Sequence, residues 1–458
     1  MALSATEDVK VTRYLGQWIS QNTCVHSPDS VAAAERAVVD TVACIVAGQN
    51  DEAVMRVRKG LGGWGKQGAS SAVGGVERID APWAALINGT SAHALDYDDV
   101  LDPAGSHISA VLVPALLALA QETGASGRAL IDAFIVGVDI QLFLAKAVNM
   151  THYTRGWHTT STLGAPAAAA ACARMLGLNE HASTHAISIA TSLSGGFKRQ
   201  FGTNTKPFHA GLAAKNGVLA ARMAEAGLTA DTAPLEGERG FLDLMVGPGA
   251  AGFKKPLPVL GAPAAVLRPG IWQKRYPCCA STHRAVDGVL ALVSEHVLGI
   301  QEIKHIQTTV SEAAVRNLMY DRPQDPMQAR FSMQYCIAAA LIDGDLRLST
   351  FSKQALMRPE VFELMDRITM ISDPEQPHDM PATEKSWACV SIATNRGSWA
   401  IKVVDPKGYP DNPLSESELE AKFYDCCRFA GVHGSSGDYD VWRFISRSDN
   451  LEKACSLF

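Results

Sequence analysis

Long Ala- and Gly-rich segments with helical spacing fill residues 1–269 and leave few folds open to this chain. The clearest examples cover residues 31–47, 126–147 and 208–226. Small side chains allow helix axes to approach closely, and segments that are apolar nearly all round are typical of buried helices. Residues 1–269 are therefore predicted to form a large, densely packed, all-helical domain.

The pattern changes near Gly270, where β-forming runs appear between shorter helical ones. Residues 303–312 favour a strand, because they alternate loosely and contain β-branched side chains. Residues 387–394 and 398–404 flank a turn that contains glycine, which is typical of a hairpin. Residues 270–404 are therefore predicted to form a smaller α+β domain.

The last part of the chain, residues 405–458, carries the start signal of one more helix. Ser415 and Glu418 have the spacing of a capping box, in which each side chain accepts a hydrogen bond from the other residue's backbone N–H. We expect this final helix to return to the helical domain. The fold class predicted for the whole chain is mainly α, with a second, smaller α+β unit.

Charge and composition argue against several classes of protein. The formal net charge is −6, whereas nucleic-acid-binding domains usually present a basic face. No apolar run approaches the roughly 20 residues that a bilayer span needs, and no G-x-G-x-x-G follows a predicted strand. The ten cysteines include no C-x-x-C. We therefore expect a cytoplasmic protein with reduced thiols, which binds neither nucleic acid nor membrane.

A first polar cluster interrupts the helical pattern between residues 88 and 107. It contains two histidines and three neighbouring aspartates: His93, Asp96, Asp98, Asp99 and His107. These side chains suit acid–base chemistry or a metal ion, although aspartates at a helix end also act as caps. The spacing matches no known ligand motif such as H-E-x-x-H, so the acid–base interpretation is preferred.

Two further clusters lie before predicted helices. His158 and Thr160 belong to G-W-H-T-T-S-T-L-G, and the free N–H groups of a helix N-terminus suit a carboxylate. Lys206 precedes Pro207, which favours an extended conformation for the lysine. Its ammonium group could pair with a substrate carboxylate. The alternatives are a hydroxyl-rich helix cap for the first cluster and a solvated surface lysine for the second.

A fourth cluster stands at the start of the α+β region. It contains Lys274, Arg275, the adjacent pair Cys278 and Cys279, and His283. It is either a basic domain hinge or a group that contributes positive charge to a site. Removing a proton from carbon next to a carboxylate needs a positioned base, together with cations or N–H groups for the charge that develops. The four clusters together supply both.

The same stretches resemble the MmgE/PrpD family, which contains 2-methylcitrate dehydratases, cis-aconitate decarboxylases and iminodisuccinate epimerases. The resemblance rests on ALINGTSAHALDYDD, GWHTTSTLG, FGTNTKPFHAG, KRYPCCASTH and ARFSMQYCIAAALIDG, which follow one another in this order. It implies a helical domain built from both ends of the chain, an α+β lid inserted between them, and a homodimer. It also implies a cofactor-free enzyme with no metal ion.

The resemblance places the active site between the helical domain and the lid. The catalytic residues that it implies are Asp96, His107, His158 and Lys206. The substrate-binding residues that we assign beside them are Lys274, His283, Thr160 and Arg275. In this assignment a histidine is the acid or the base, Lys206 is the partner of a carboxylate or enolate, and Asp96 orients its neighbours.

The expected activity is that of a lyase that abstracts a proton next to a carboxylate of a small di- or tricarboxylate, most simply a 2-methylcitrate dehydratase-like hydro-lyase. Val100 and Cys279 occupy two positions at which the cis-aconitate decarboxylase motifs have Thr and His, respectively. These two differences argue against a decarboxylase. An epimerase of a substituted succinate is the next alternative, followed by a cis-aconitate decarboxylase. From other classes, a metal-dependent hydrolase would use His93, Asp98 and Asp99, and a non-catalytic binding protein would keep only the fold.

Overall fold

The computed structural model of the protein describes residues 10–21, 26–64, 67–76, 78–247, 253, 257–376, 385–435, 437–449, 451 and 455. It is mainly α with small sheets, so the predicted fold class is confirmed. Two separate hydrophobic cores lie within it, one among the helices and one around a four-stranded sheet. In the described part of the chain, each helix is too short or too polar to cross a membrane.

The first part of the chain is built almost entirely from helices. In order, its elements are α1 (Val11–Gln21), α2 (Pro28–Gly48), α3 (Glu52–Leu61), β1 (Ser70–Ser71), β2 (Arg78–Ile79), α4 (Ala81–Ala94), α5 (Ser109–Thr123), α6 (Gly127–Thr154), α7 (Thr159–Thr162), α8 (Gly164–Met175), α9 (Glu180–Ser192), α10 (Thr205–Glu225) and α11 (Phe241–Met245). Helices α4, α5, α8 and α10 pack on one another at the centre, and we call this part, together with the C-terminal helices below, the helical domain.

Small residues set the distance between the central helices. A Cβ atom added at Gly211 in α10 would lie 2.2 Å from the carbonyl oxygen of Leu86 in α4. One added at Gly217 would lie 2.3 Å from the Cβ atom of Ala168 in α8. Contacts this short displace backbone, so the two glycines allow α10 to press against both neighbours. This agrees with the dense helix packing predicted from composition.

The second part of the chain forms a smaller unit of helices and a four-stranded sheet, which we call the lid. Its elements are α12 (Ala280–Glu295), β3 (Ile303–Val310), α13 (Glu312–Asn317), α14 (Pro326–Ala329), α15 (Met333–Asp343), α16 (Lys353–Leu356), α17 (Pro359–Met365), β4 (Ile368–Ser372), β5 (Ala388–Thr394) and β6 (Ser398–Val403). The strand order is β4-β3-β5-β6, with β3 parallel to β4 and the other pairs antiparallel. Helix α12 packs on β5 and β6.

The hairpin of β5 and β6 lies where the sequence predicts it, and alternate residues of β5 are buried. Strand β4 has no counterpart in the sequence-based assignment. It has only five residues, and its burial pattern does not alternate. Strand β4 forms because it pairs in parallel with residues Ile306 to Val310 of β3. Such long-range pairing has no local sequence signal.

The chain ends with α18 (Glu416–Ala430) and α19 (Asp438–Arg443). The capping box at the start of α18 is present: Ser415 N–H donates to Glu418 Oε2 at 2.7 Å, and Glu418 N–H donates to Ser415 Oγ at 3.2 Å. Helix α18 packs against α2, and Phe423 and Trp442 are buried in the core of the helical domain. Both ends of the chain therefore contribute to that core.

The conformation predicted for Lys206 is wrong. The lysine is the second residue of α10 and is helical, rather than extended before Pro207. The first N–H groups of a helix have no intrahelical partner, so a proline in the first turn removes no hydrogen bond. A buried ion pair of Lys206 with Asp96 stabilises this placement, and such a tertiary contact outweighs the local preference of a residue before proline.

Candidate active site

A cavity of about 730 Å³ lies between the helical domain and the lid, a size typical of sites for small molecules. The predicted catalytic residues Asp96, His107, His158 and Lys206 all line it. From the lid and the segment before it, the lining residues used below are Trp272, Cys279, Ala280, Ser281, Arg284 and Asn317. The four predicted catalytic side chains thus meet in one concave site.

Asp96, Lys206 and Lys274 form a buried charge group, which we call the Asp96 cluster. Lys206 Nζ donates to Oδ1 of Asp96, and Lys274 Nζ donates to Oδ2 at 2.9 Å and to the Asp96 carbonyl oxygen at 2.8 Å. Burial alone would raise the pKa of Asp96, but the two ammonium groups hold that pKa well below its usual range. Two cations against one carboxylate leave the cluster with a net charge of about +1.

The backbone at Asp96 is unusual. Its φ of 54° lies in the left-handed region, which a residue other than glycine adopts at an energetic cost and which is often found at functional sites. Asp96 follows α4 by two residues, and the left-handed turn brings its carboxylate to Lys206, which lies 110 residues further along the chain. The left-handed turn after α4 therefore orients the Asp96 carboxylate towards both lysines.

His93, Asp98 and His107 form a second buried group, which we call the histidine cluster. Asp98 Oδ2 lies 2.8 Å from His93 Nδ1 and 3.2 Å from His107 Nδ1. Burial opposes ionisation of Asp98, yet the two histidines hold the pKa of Asp98 well below its usual range. Burial lowers the pKa of His93 to about 3. Asp98 is therefore an anion at neutral pH, which is hydrogen-bonded to His93 and lies beside His107.

His158 faces the cavity from the start of α7. Its Nδ1 lies 3.1 Å from Nδ1 of His209, so one of the two rings donates a hydrogen bond to the other. Phe201 packs edge-on against it, with ring centroids 5.0 Å apart. Burial, followed by the charge of neighbouring groups, holds the pKa of His158 well below its usual range. His158 is therefore neutral, and with Nδ1 engaged, Nε2 is the nitrogen available to a ligand.

The four predicted substrate-binding residues do not line the cavity. Thr160 Oγ1 accepts a hydrogen bond from the backbone N–H of His107 at 3.1 Å, so it positions that histidine. Lys274 is buried behind Asp96. His283 packs edge-on against Trp272, and Arg275 lies 3.8 Å from Asp345 in a separate groove. Direct substrate contact by these four residues therefore finds no support in the geometry.

Sequence reasoning missed other cavity residues. Tyr153 donates a hydrogen bond to Oδ1 of Asn317 at 3.1 Å, which links the helical domain to the lid across the site. Lys198 Nζ lies 3.4 Å from the centroid of the Tyr153 ring. Burial lowers the pKa of Lys198 to about 8, with a further contribution from Arg316. No local motif marks Tyr153, because it lies in the part of α6 that continues past the predicted end at residue 147.

Asp99 does not join the histidine cluster. Its Oδ1 accepts a hydrogen bond from the backbone N–H of Ser109 at 3.2 Å, and burial raises the pKa of Asp99 to about 8. The metal-dependent hydrolase considered above would need His93, Asp98 and Asp99 around one ion. In the described residues, the third side chain beside His93 and Asp98 is His107, and the potential ligand atoms of these three lie within 4.8 Å of one another.

The substitution Asp99→Asn is expected to stabilise the protein at alkaline pH. An unfolded aspartate titrates near a pKa of about 4, so between pH 4 and 8 the folded protein holds a proton that the unfolded chain has lost. Stability contributed by this proton is complete below about pH 4 and is lost as the pH rises through 8. Melting curves at about pH 5 and pH 9 should show that the gain in melting temperature of the variant grows with pH, by roughly 1 °C for each kcal/mol recovered in a chain of this length.

Asp440→Asn, a change at an exposed aspartate of α19, is the control for the loss of one negative charge. It should shift the melting temperature equally at both pH values. A variant at Asp99 that melts below the wild type at alkaline pH would show that the ionised Asp99 carboxylate stabilises the folded protein, which contradicts a raised pKa of Asp99.

A cavity that contains buried acid–base groups and lies between the helical domain and the lid is typical of an enzyme. The chain belongs to the MmgE/PrpD family: the N-terminal domain of the family matches residues 13–254 and the C-terminal domain matches residues 276–435. The family membership predicted from motifs is thereby confirmed, and so is the prediction of a lyase.

Relatives with an assigned activity are similar over most of their length. Cis-aconitate decarboxylase of Homo sapiens is 32% identical over 363 residues, which cover 76% of this chain and 72% of the human protein. The enzyme of Mus musculus is 30% identical with the same coverage. Cis-aconitate decarboxylase of Aspergillus terreus is 26% identical over 434 residues, or 90% of this chain and 88% of that protein.

Proposed function

We propose that this protein is a metal-independent lyase that abstracts a proton from carbon next to a carboxylate of a small di- or tricarboxylate. One observation carries the proposal: two groups of buried charged residues meet at the same cavity. In the first, His107 lies beside the Asp98 carboxylate. In the second, the Asp96 carboxylate is paired with two lysines. The first pair suits proton transfer, and the second group suits an anion that gains charge during the reaction.

His107 is the base in this proposal. Asp98 Oδ2 faces His107 Nδ1 at 3.2 Å, and in this proposal Nδ1 carries the proton while Nε2 has the free lone pair. His107 is 15% exposed in its side chain and lines the cavity. When Nε2 takes a proton, the anionic Asp98 stabilises the imidazolium, as the aspartate does in a catalytic triad. Thr160 fixes the backbone of His107.

Lys206 stabilises the negative charge that develops in the reaction, and His158 transfers a proton at the leaving group. Loss of the proton turns the substrate carboxylate towards an enediolate with additional negative charge. Lys206 lines the cavity and belongs to a cluster with a net charge of about +1, so its ammonium group can stabilise this charge. His158 is neutral and can donate or accept a proton at Nε2 where the leaving group departs.

The step that follows proton removal distinguishes the reactions open to the family. A hydro-lyase of the 2-methylcitrate dehydratase type is our first choice, because Val100 and Cys279 line the cavity in place of the Thr and His expected for decarboxylation. A cis-aconitate decarboxylase is the second candidate, because the relatives described above carry that activity. An epimerase of a substituted succinate would stop after the proton has been exchanged.

Proton NMR in D₂O on a panel of acids tests the proposal. The panel holds citrate, 2-methylcitrate, cis-aconitate and iminodisuccinate. New vinyl signals from a citrate would support the hydro-lyase, and a vinylidene product from cis-aconitate would support the decarboxylase. Deuterium at the α-carbon of iminodisuccinate with interconversion of its stereoisomers would identify an epimerase. A folded protein that neither converts nor exchanges any of these acids would contradict the proposal.

A metal-dependent hydrolase is the candidate from another class, and the mutual proximity of His93, Asp98 and His107 is the observation that favours it. Elemental analysis of the purified protein, with activity measured after dialysis against a chelator, separates the two proposals. Stoichiometric zinc or manganese and a chelator-sensitive activity would support the hydrolase. Turnover on the panel that survives the chelator would support the metal-independent lyase.

The assembly and the location of the protein also remain predictions. A homodimer in the cytoplasm is expected, on the resemblance of the motifs to their family. Light scattering on the eluting protein measures the mass of the assembly directly. A mass near that of one 48.8 kDa chain would contradict the dimer and leave the catalytic proposal untouched.

A further inference from the structure

Arg284 is held firmly in the wall of the cavity. It lies early in α12 and is only 6% exposed. Its Nε donates to the carbonyl oxygen of Val404 at 2.8 Å. Its Cζ lies 5.2 Å from the ring centroid of Trp272 and 5.4 Å from that of Tyr409. These contacts fix the orientation of the guanidinium, so little conformational entropy is lost when it binds a ligand.

The guanidinium has hydrogen-bonding capacity that the protein does not use. Among the described residues, Nη2 of Arg284 is buried and has no hydrogen-bond partner. Asp102 Oδ2 lies 3.8 Å from Nη2, which is beyond hydrogen-bond distance, and that oxygen accepts a hydrogen bond from the Tyr409 hydroxyl at 3.1 Å. Buried donors are almost always satisfied, and a guanidinium suits a carboxylate because its donors match both oxygens.

The start of α12 adds a second attraction for an anion at the same place. Ala280 and Ser281 are the first two residues of this sixteen-residue helix, and both line the cavity together with Arg284. The first N–H groups of a helix and its dipole favour a negative charge. The lid therefore presents a cationic wall to a cavity whose other wall contains Lys206 from the helical domain.

Resting on the proposed function, we infer that Arg284 and the N-terminus of α12 bind a second carboxylate of the substrate, one that is not attached to the reacting carbon. Lys206, which belongs to the helical domain, binds the first carboxylate, the one attached to the reacting carbon. A ligand with two carboxylates then contacts both domains at once, whereas a monocarboxylate engages one of them. Arg284 is thus a specificity-determining residue that selects di- and tricarboxylates.

Ligand-observed NMR titrations of the full-length protein with tricarballylate and with butyrate test this inference. The variant Arg284→Met keeps most of the packing of the side chain and removes the donors. We expect it to weaken tricarballylate binding about 10- to 100-fold, the range for hydrogen bonds to charged groups, and to change butyrate binding less than about twofold. Arg396→Met is the matched control, because Arg396 also belongs to the lid and lies 3.1 Å from a carboxylate, that of Glu302, but is outside the cavity.

Asp102→Asn gives a second test in the opposite direction, which holds even if Arg284→Met does not fold. Removing the anion that faces Nη2 should tighten tricarballylate binding about threefold or more. Tricarballylate binding unchanged in Asp102→Asn, or within twofold of the wild type in a folded Arg284→Met, overturns the inference. If Arg284→Met lost affinity equally for tricarballylate and for butyrate, the inference would be overturned as well, because Arg284 would then only shape the cavity.

The same experiments separate this inference from the proposed function. A wild-type protein that binds tricarballylate through Arg284 but leaves the acid panel unchanged rejects the lyase and retains the carboxylate site. Turnover on the panel with the same KM in the wild type and Arg284→Met rejects the carboxylate site and retains the lyase.

Discussion

Replacing Lys206 with alanine is expected to lower kcat about 10³-fold on whichever acid of the panel the wild type converts. The substitution removes one of two ammonium groups beside Asp96, so the net charge of the Asp96 cluster falls from about +1 to zero. Loss of one preorganised donor to a developing anion typically costs about 10²- to 10³-fold in kcat. Initial rates over a range of substrate concentrations separate this loss in kcat from any change in KM.

The fold should survive Lys206→Ala, because Lys274 still compensates the buried Asp96. Lys215→Ala is the matched control: Lys215 belongs to the same helix, α10, and lies outside the cavity. It should keep nearly full turnover. If Lys206→Ala turned over at a near-normal rate, the proposed site would be wrong, whichever of the family's reactions the enzyme performs.

The variant His107→Gln is expected to lower the rate of proton exchange at the substrate α-carbon about 10³-fold, within the range for loss of a general base. Glutamine keeps a polar side chain of similar length but cannot accept the proton. Asp98 keeps its hydrogen bond with His93, so the buried carboxylate stays paired. Deuterium incorporation, followed by proton NMR beside product formation, measures the proton step apart from the later steps.

His305→Gln is the control for this experiment, since His305 is exposed on β3 and does not line the cavity. Its exchange rate should equal that of the wild type. If His107→Gln exchanged the α-proton at the wild-type rate but formed no product, His107 would be the acid that acts after proton removal. The role of base would then pass to His158.

Local patterns determine much of this fold. The Ala- and Gly-rich periodicity predicts the central helices, and Gly211 and Gly217 show why small residues are needed at their contacts. The capping box at Ser415 and the hairpin of β5 and β6 form where predicted. The helical periodicity, the capping box and the hairpin depend on interactions between residues close together along the chain, so a single sequence contains their physical cause.

Contacts between distant residues belong to the tertiary structure alone. Lys274 meets Asp96 from 178 positions away, and the motif that contains Lys274 gives no sign that it is buried behind the aspartate. Strand β4 forms because β3 is beside it. The helical conformation of Lys206 likewise opposes its local preference, because the ion pair with Asp96 lies across the domain.

The difference between what the sequence determines and what the tertiary structure decides is clearest at the cavity. The sequence by itself determined the chemical types that meet there, since His107, His158, Lys206 and Asp96 stand out as polar residues at the ends of apolar helices or between them. Only the tertiary structure decided which side chains face a ligand. It placed Arg284 in the wall and turned its sequence neighbour His283 against Trp272, because successive residues of a helix point in different directions and the packing of α12 selects the one that lines the site.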